Sequence, residues 1–173
     1  MTGPEFSRPV RIDTLGEGGR MIAIEAAEGE RAALAERFGL LALEALTAEA
    51  NLRREGDVIL AEGRVKARAV QVCVASGGPV PADVDETFSL RFVPEGQDGG
   101  EELELDAGDI DSIDYAGGAV DLGEAVAETM ALSLDPFPRA ADADAILKKA
   151  GVLTEQEAAE ASSPFAALKG KLR

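Results

Sequence analysis

Residues 43–93 carry three successive runs of alternating apolar and polar side chains, separated by two short turn signals. In "LEALTAEANLR", residues 43–53, Leu46, Ala48, Ala50 and Leu52 share one parity, and Thr47, Glu49, Asn51 and Arg53 share the other. A strand with one buried face requires this period of two, because successive side chains point to opposite sides of a sheet. "REGD" at 54–57 marks a turn, and "VILAEGRVKARAVQVCV" at 58–74 is a second, longer strand. "SGGPVP" at 76–81 marks the next turn. The third strand runs from Val84 to Val93, with Phe88, Leu90 and Phe92 as its inward row. Strands joined by such short turns pair antiparallel. In the long strand Arg64, Lys66 and Arg68 share a face, and Val70, Val72 and Val74 continue its parity, which predicts a bulge or bend near Ala69.

Around this centre, "SRPVRIDTL" and "RMIAIEA" read as two strands joined by the turn "GEGG" at 16–19. Residues 28–38 switch to helical spacing, with Leu34, Phe38 and Leu41 on one side and Gly39 as the stop. Residues 94–118 are rich in glycine and acid and read as loop, apart from a short strand at "ELEL". A second helix begins at Asp121 as N-cap, with Glu124 placed to complete a capping box. Leu122, Val126, Met130 and Leu134 form its apolar stripe, and Pro136 ends it near Asp135. The pattern predicts an α+β fold. We expect a single domain over 1–139: a mostly antiparallel sheet with one early and one late helix packed on it. A partly flexible helical C-terminal tail is expected over 140–173.

Composition narrows the chemistry. Histidine is absent, which removes the commonest general base near neutral pH and the commonest zinc ligand. The single cysteine, Cys73, forms no internal disulfide, fits a reducing compartment and reads as a buried structural residue. No apolar run is long enough for a membrane span and no signal core is visible, so a cytoplasmic protein without membrane contact is expected. Asp106, Asp109, Asp111 and Asp114 lie close in sequence, but their spacing does not match a calcium loop. No carboxylate pair is singled out for acid–base work, and no glycine-rich segment carries the strand, helix and lysine of a phosphate cradle. Neither a catalytic residue nor a cofactor or metal site is assigned.

Charge is sorted along the chain. The net charge is −16; residues 81–145 hold 18 acidic and only 2 basic side chains, while the segments before and after nearly balance. This middle segment predicts an acidic surface for a basic partner, with Glu101, Glu102, Asp109, Asp111, Asp114, Glu124 and Glu128 as docking candidates. The cations divide between the strand row Arg64, Lys66 and Arg68 and the tail residues Lys169, Lys171 and Arg173, which are the RNA-contact candidates. Three like charges at alternate positions on one strand need an anionic partner, either RNA or the protein's own acidic loop. In "PFAALKGKLR" at the C-terminus, Phe165, Leu168 and Leu172 are spaced as the apolar anchor of an amphipathic basic helix.

The blocks "EFSRPVRIDTL", "ERAALAERFGL", "VQVCVASGGPVPADVDETFSLRFVPEG", "DLGEAVAETMALSLDPFPR" and "PFAALKGKLR" occur in this order. With them the chain resembles the alphaproteobacterial branch of the YceD-like family, the large ribosomal RNA subunit accumulation proteins, long described as a domain of unknown function. The resemblance implies a role in maintaining the RNA of the large ribosomal subunit and supplies no catalytic residue. Many members carry a Cys-x-x-Cys pair in the long strand. Here Cys73 matches the second position and Val70 occupies the first, and one thiolate cannot form a tetrahedral zinc site by itself.

Three functions follow as expectations. The first is a non-enzymatic ribosome-biogenesis factor that supports 23S rRNA accumulation and large-subunit assembly, its acidic surface docking a basic ribosomal protein or assembly factor. The second is direct binding of 23S rRNA through the basic strand face and tail. The third, with least support, is a metal-dependent ribonuclease.

Overall fold

The three alternating runs form the centre of a five-stranded sheet in the order β2–β3–β4–β5–β6. The strands are β2 (Arg20–Glu25), β3 (Ala42–Glu55), β4 (Val58–Val72), β5 (Pro79–Pro94) and β6 (Asp111–Tyr115). The structure is a computed structural model and describes residues 4–96, 111–153 and 158. The expected "ELEL" strand, Glu101, Glu102, Asp109, Phe165, Leu168, Lys169, Lys171, Leu172 and Arg173 lie outside the described residues. The chain divides into two compact units, one made of 1–71 with 81–136 and the other of 72–80 with 137–173.

Register in the first unit follows the alternation. β3 pairs antiparallel with β4 from Glu55↔Val58 to Ala42↔Val70, and Gly56, with φ of 63°, supplies the left-handed turn residue. Leu46, Ala48, Ala50 and Leu52 of β3 are buried, as are Ile59, Ala61, Val65 and Ala67 of β4 and Phe88, Leu90 and Phe92 of β5. The expected irregularity near Ala69 is present, but on the partner strand: the register shifts between Leu43 and Ala45, opposite Ala69 and Arg68. β4 therefore keeps its parity, and Val72 remains exposed instead of turning inward.

The helices α1 (Glu28–Arg37) and α2 (Leu122–Leu132) contribute Leu34, Leu122, Val126 and Met130 to the core formed with these strands. Burying each large side chain contributes roughly 1.5–3 kcal/mol. Leu41, assigned to the helix's apolar side, is exposed, because β3 begins directly after it. Small residues let this core close. A Cβ on Gly63 would lie 2.7 Å from Phe88 Cζ and 2.4 Å from Glu49 O, so the Phe88 ring lies where a side chain would be.

Several expectations are corrected. "SRPVRIDTL" is not one strand paired with its successor. It forms β1 (Pro9–Arg11) and a 3-10 turn (Ile12–Thr14), and β1 pairs antiparallel with β7 (Ala119–Asp121) in a separate two-stranded sheet. Residues 111–115 and 119–121, expected to be loop, are strands. β6 runs parallel to β5, with Phe92↔Ile113, so the larger sheet is mixed. Ile113 and Tyr115 pack against the core, and Tyr115 Oη donates to Asp57 O at 2.6 Å, which ties β6 to the β3–β4 turn. Alternation over five residues amid acid was too short to stand out.

The start of α2 is fixed by Asp121. Its Oδ1 accepts the N–H groups of Gly123 and Glu124 at 3.0 and 3.2 Å and that of Arg8 at 2.8 Å, while Ser7 Oγ donates to Oδ2 at 2.5 Å. The expected N-cap is present. Glu124 does not complete a capping box; its carboxylate is drawn to Arg37 instead. Gly123 is required because a Cβ there would lie 2.3 Å from Phe6 O. The segment containing the fully buried Phe6 thus lies across the first turn of α2.

In the second unit, Cys73 N donates to Gly78 O and Val74 N to Pro138 O. A short helix, α3 (Ala143–Lys149), follows, with Arg139 paired to Asp144 at 2.7 Å.

Candidate functional site

The basic row lies on the face of β4 opposite the core, as alternation requires. Register places Glu49 beside Arg64, Thr47 beside Lys66 and Ala45 beside Arg68 on β3. On the other side Arg64 Nε donates to Asp85 Oδ1 at 2.5 Å. This contact raises the Arg64 pKa and lowers that of Asp85. The internal partner of Arg64 is therefore a carboxylate on the next strand. Among the described residues, Lys66 and Arg68 have no salt bridge. Small side chains at Ala23, Ala45 and Thr47 leave shallow grooves of about 500 and about 330 Å³ on the two sides of Lys66.

The described acidic candidates fall into two groups. Asp111 and Asp114 are exposed on β6, an edge strand, and neither has a salt bridge among the described residues. Glu124 and Glu128 lie on α2 and face Arg37, the last residue of α1. Arg37 holds Glu124 through two contacts of 2.7 and 3.0 Å, Glu5 at 3.0 Å and Glu128 at 3.8 Å. These contacts, the Glu124 hydrogen bond first, raise the Arg37 pKa, while its own backbone N–H and then Arg37 hold Glu5 below the usual carboxylate value. Three carboxylates share one guanidinium, so the cluster remains anionic. Neither the Arg37 cluster nor the Asp85 partner was singled out in the sequence. Both pairs span elements far apart in the chain, and no local spacing signals them.

Cys73 is buried, and its Sγ accepts N–H bonds from Ala140 at 3.3 Å and Ser76 at 3.4 Å. These donors lower its pKa to about 7 despite burial. Val70, at the first position of the relatives' cysteine pair, is half-buried in β4 and offers no ligand atom. Among the described residues, no three His, Cys, Asp or Glu side chains gather as metal ligands, and no helix is long and apolar enough to cross a membrane.

A family model described as "Large ribosomal RNA subunit accumulation protein YceD" matches residues 61–171. The match begins inside β4 and takes in β5, β6, β7 and α2. No curated protein and no solved structure matches the chain.

Proposed function

The chain belongs to the YceD family, and from that premise we propose that it is a non-enzymatic factor supporting accumulation of 23S rRNA and assembly of the large ribosomal subunit in the cytoplasm. The family match over 61–171 is the observation that carries this reading. Its mode of action is docking of a basic ribosomal protein or assembly factor on the acidic β6 side. Asp111 and Asp114 support that mode, because no cation of the described residues neutralises either. Glu101, Glu102 and Asp109 are the further candidates on that side. Glu124 and Glu128 add a patch whose one cation is outnumbered. Removing the protein from its source cell tests the role. The 23S to 16S ratio is expected to fall, and an unchanged ratio with normal subunit profiles would refute it.

A second reading is direct contact with 23S rRNA through Lys66 and Arg68, supported by the open grooves beside them. Arg64 contributes less because Asp85 already occupies it. Lys169, Lys171 and Arg173 would extend that contact, with Phe165, Leu168 and Leu172 anchoring the tail. This reading predicts affinity for a 23S fragment that falls steeply with salt, since each phosphate contact releases counterions. Replacing Lys66 and Arg68 by Ala should flatten that slope, and no binding at low salt would exclude the reading.

A further inference from the structure

The edge of the sheet opposite β6 is finished without the devices that usually protect an edge. β2 pairs with β3 on one side, from Arg20↔Leu52 to Glu25↔Thr47, and no strand of the described residues pairs with its other side. Its middle residues are Met21, Ile22, Ala23 and Ile24, with no proline, bulge or charge among them. Natural edges are commonly blunted by such features, and an edge without them is a template for an added strand. Beside it lies a shallow groove of about 400 Å³. Val10, Ile22 and Ile24 line it together with the guanidinium side chains of Arg8, Arg11 and Arg20. No carboxylate lines it.

The arginines differ in availability. Arg8 is fixed by two contacts to Glu30, at 2.7 and 2.8 Å, and bridges to the last carbonyl of β2, Glu25 O, at 3.0 Å. Arg11 is exposed and paired with Asp13. Arg20 has no salt bridge among the described residues. One end of the groove is therefore braced, and the other carries an unneutralised cation.

We propose that β2 accepts an extended acidic peptide segment of a partner protein as an added strand, its backbone pairing with the free side of β2 and its carboxylates meeting Arg20 and Arg11. Alternate apolar side chains of the peptide continue the row of Ile22 and Ile24, because neighbouring strands share their faces. Charge selects this occupant over a second copy of the chain. A symmetric β2–β2 pairing would bring two sets of the three arginines together, and like charges facing each other across strands are unfavourable.

A synthetic peptide of alternating Asp and Val, capped at both ends, is the probe. Its controls are the Lys–Val peptide and an Asp–Val peptide with Pro at alternate Val positions. Amide exchange of the full chain is followed residue by residue at low salt. The Asp–Val peptide is expected to protect β2 amides between 20 and 25. The Lys–Val peptide, the proline peptide, and the Asp–Val peptide on Arg20→Glu protein should each bind about tenfold or more weakly. Arg20 is exposed, so Arg20→Ala serves as a second folded variant with a smaller loss. Equal binding of the Asp and Lys peptides would overturn the proposal. So would protection outside β2, free-side β2 amides already protected without peptide, or a dimer in solution that Arg20→Glu strengthens.

Discussion

β6 closes one edge of the sheet with five residues, of which Asp111 and Asp114 are exposed carboxylates, whereas β2 closes the other with six whose middle four are apolar. Charge along β6 discourages backbone pairing and offers side-chain electrostatics to a partner, while β2 offers an unblocked backbone beside a groove lined by arginines. One edge is suited to recognising charge, the other to recognising an extended chain. Net charge alone suggests a uniformly repulsive anion. The sheet instead separates two kinds of contact.

The comparison depends on the anchoring of β1 beside β2, and removing that anchor has the largest expected effect. Gly123→Val forces a side chain into Phe6 O and should cost about 3 kcal/mol in urea unfolding. β2 amides should lose protection before those of β6. Asp121→Ala removes the acceptor for Ser7, Arg8, Gly123 and Glu124 and should cost about 2 kcal/mol by the same measurement. Arg37→Ala releases Glu5, Glu124 and Glu128, but these pairs are part-exposed, so about 1 kcal/mol or less is expected.

Acid sharpens the contrast with a smaller effect. Arg8, and then the Ala27 N–H, hold Glu30 below its ordinary value of 4.5. A carboxylate depressed in the folded state contributes stability above the unfolded value and loses it as pH falls through the folded one. Exchange at the Arg8 end of β2 should therefore rise as pH drops below about 4.5. Glu30→Gln should remove this pH dependence, and an unaltered profile would dissociate Glu30 from the β2 edge.

What the sequence disclosed follows from range. β3, β4 and β5 each sustain alternation long enough to be read, and Leu122, Val126 and Met130 of α2 lie on the face their spacing assigns. β6 and β7 were read as loop because five and three residues carry little pattern, and their partners, Leu90 to Pro94 and Pro9 to Arg11, lie far away in the chain. The bulge was anticipated at the right level of the sheet but on the wrong strand. Valines at Val70 and Val72 implied a turned face, and the sequence does not reveal that the extra residue belongs to β3. For the candidate site, the basic row was legible as alternate residues of one strand. The Asp85 and Arg37 contacts depend on tertiary placement that no spacing encodes.

The central claim is that the protein meets its partner through the unneutralised acid of the β6 edge. The most direct test is affinity purification from the source cell with wild-type chain and with Asp111→Lys plus Asp114→Lys, each with and without ribonuclease. Both residues are exposed, so the double variant should stay within about 0.5 kcal/mol of wild-type stability. The account predicts a basic partner that survives ribonuclease and is lost on charge reversal. A partner released by ribonuclease and retained by the reversed variant would contradict it.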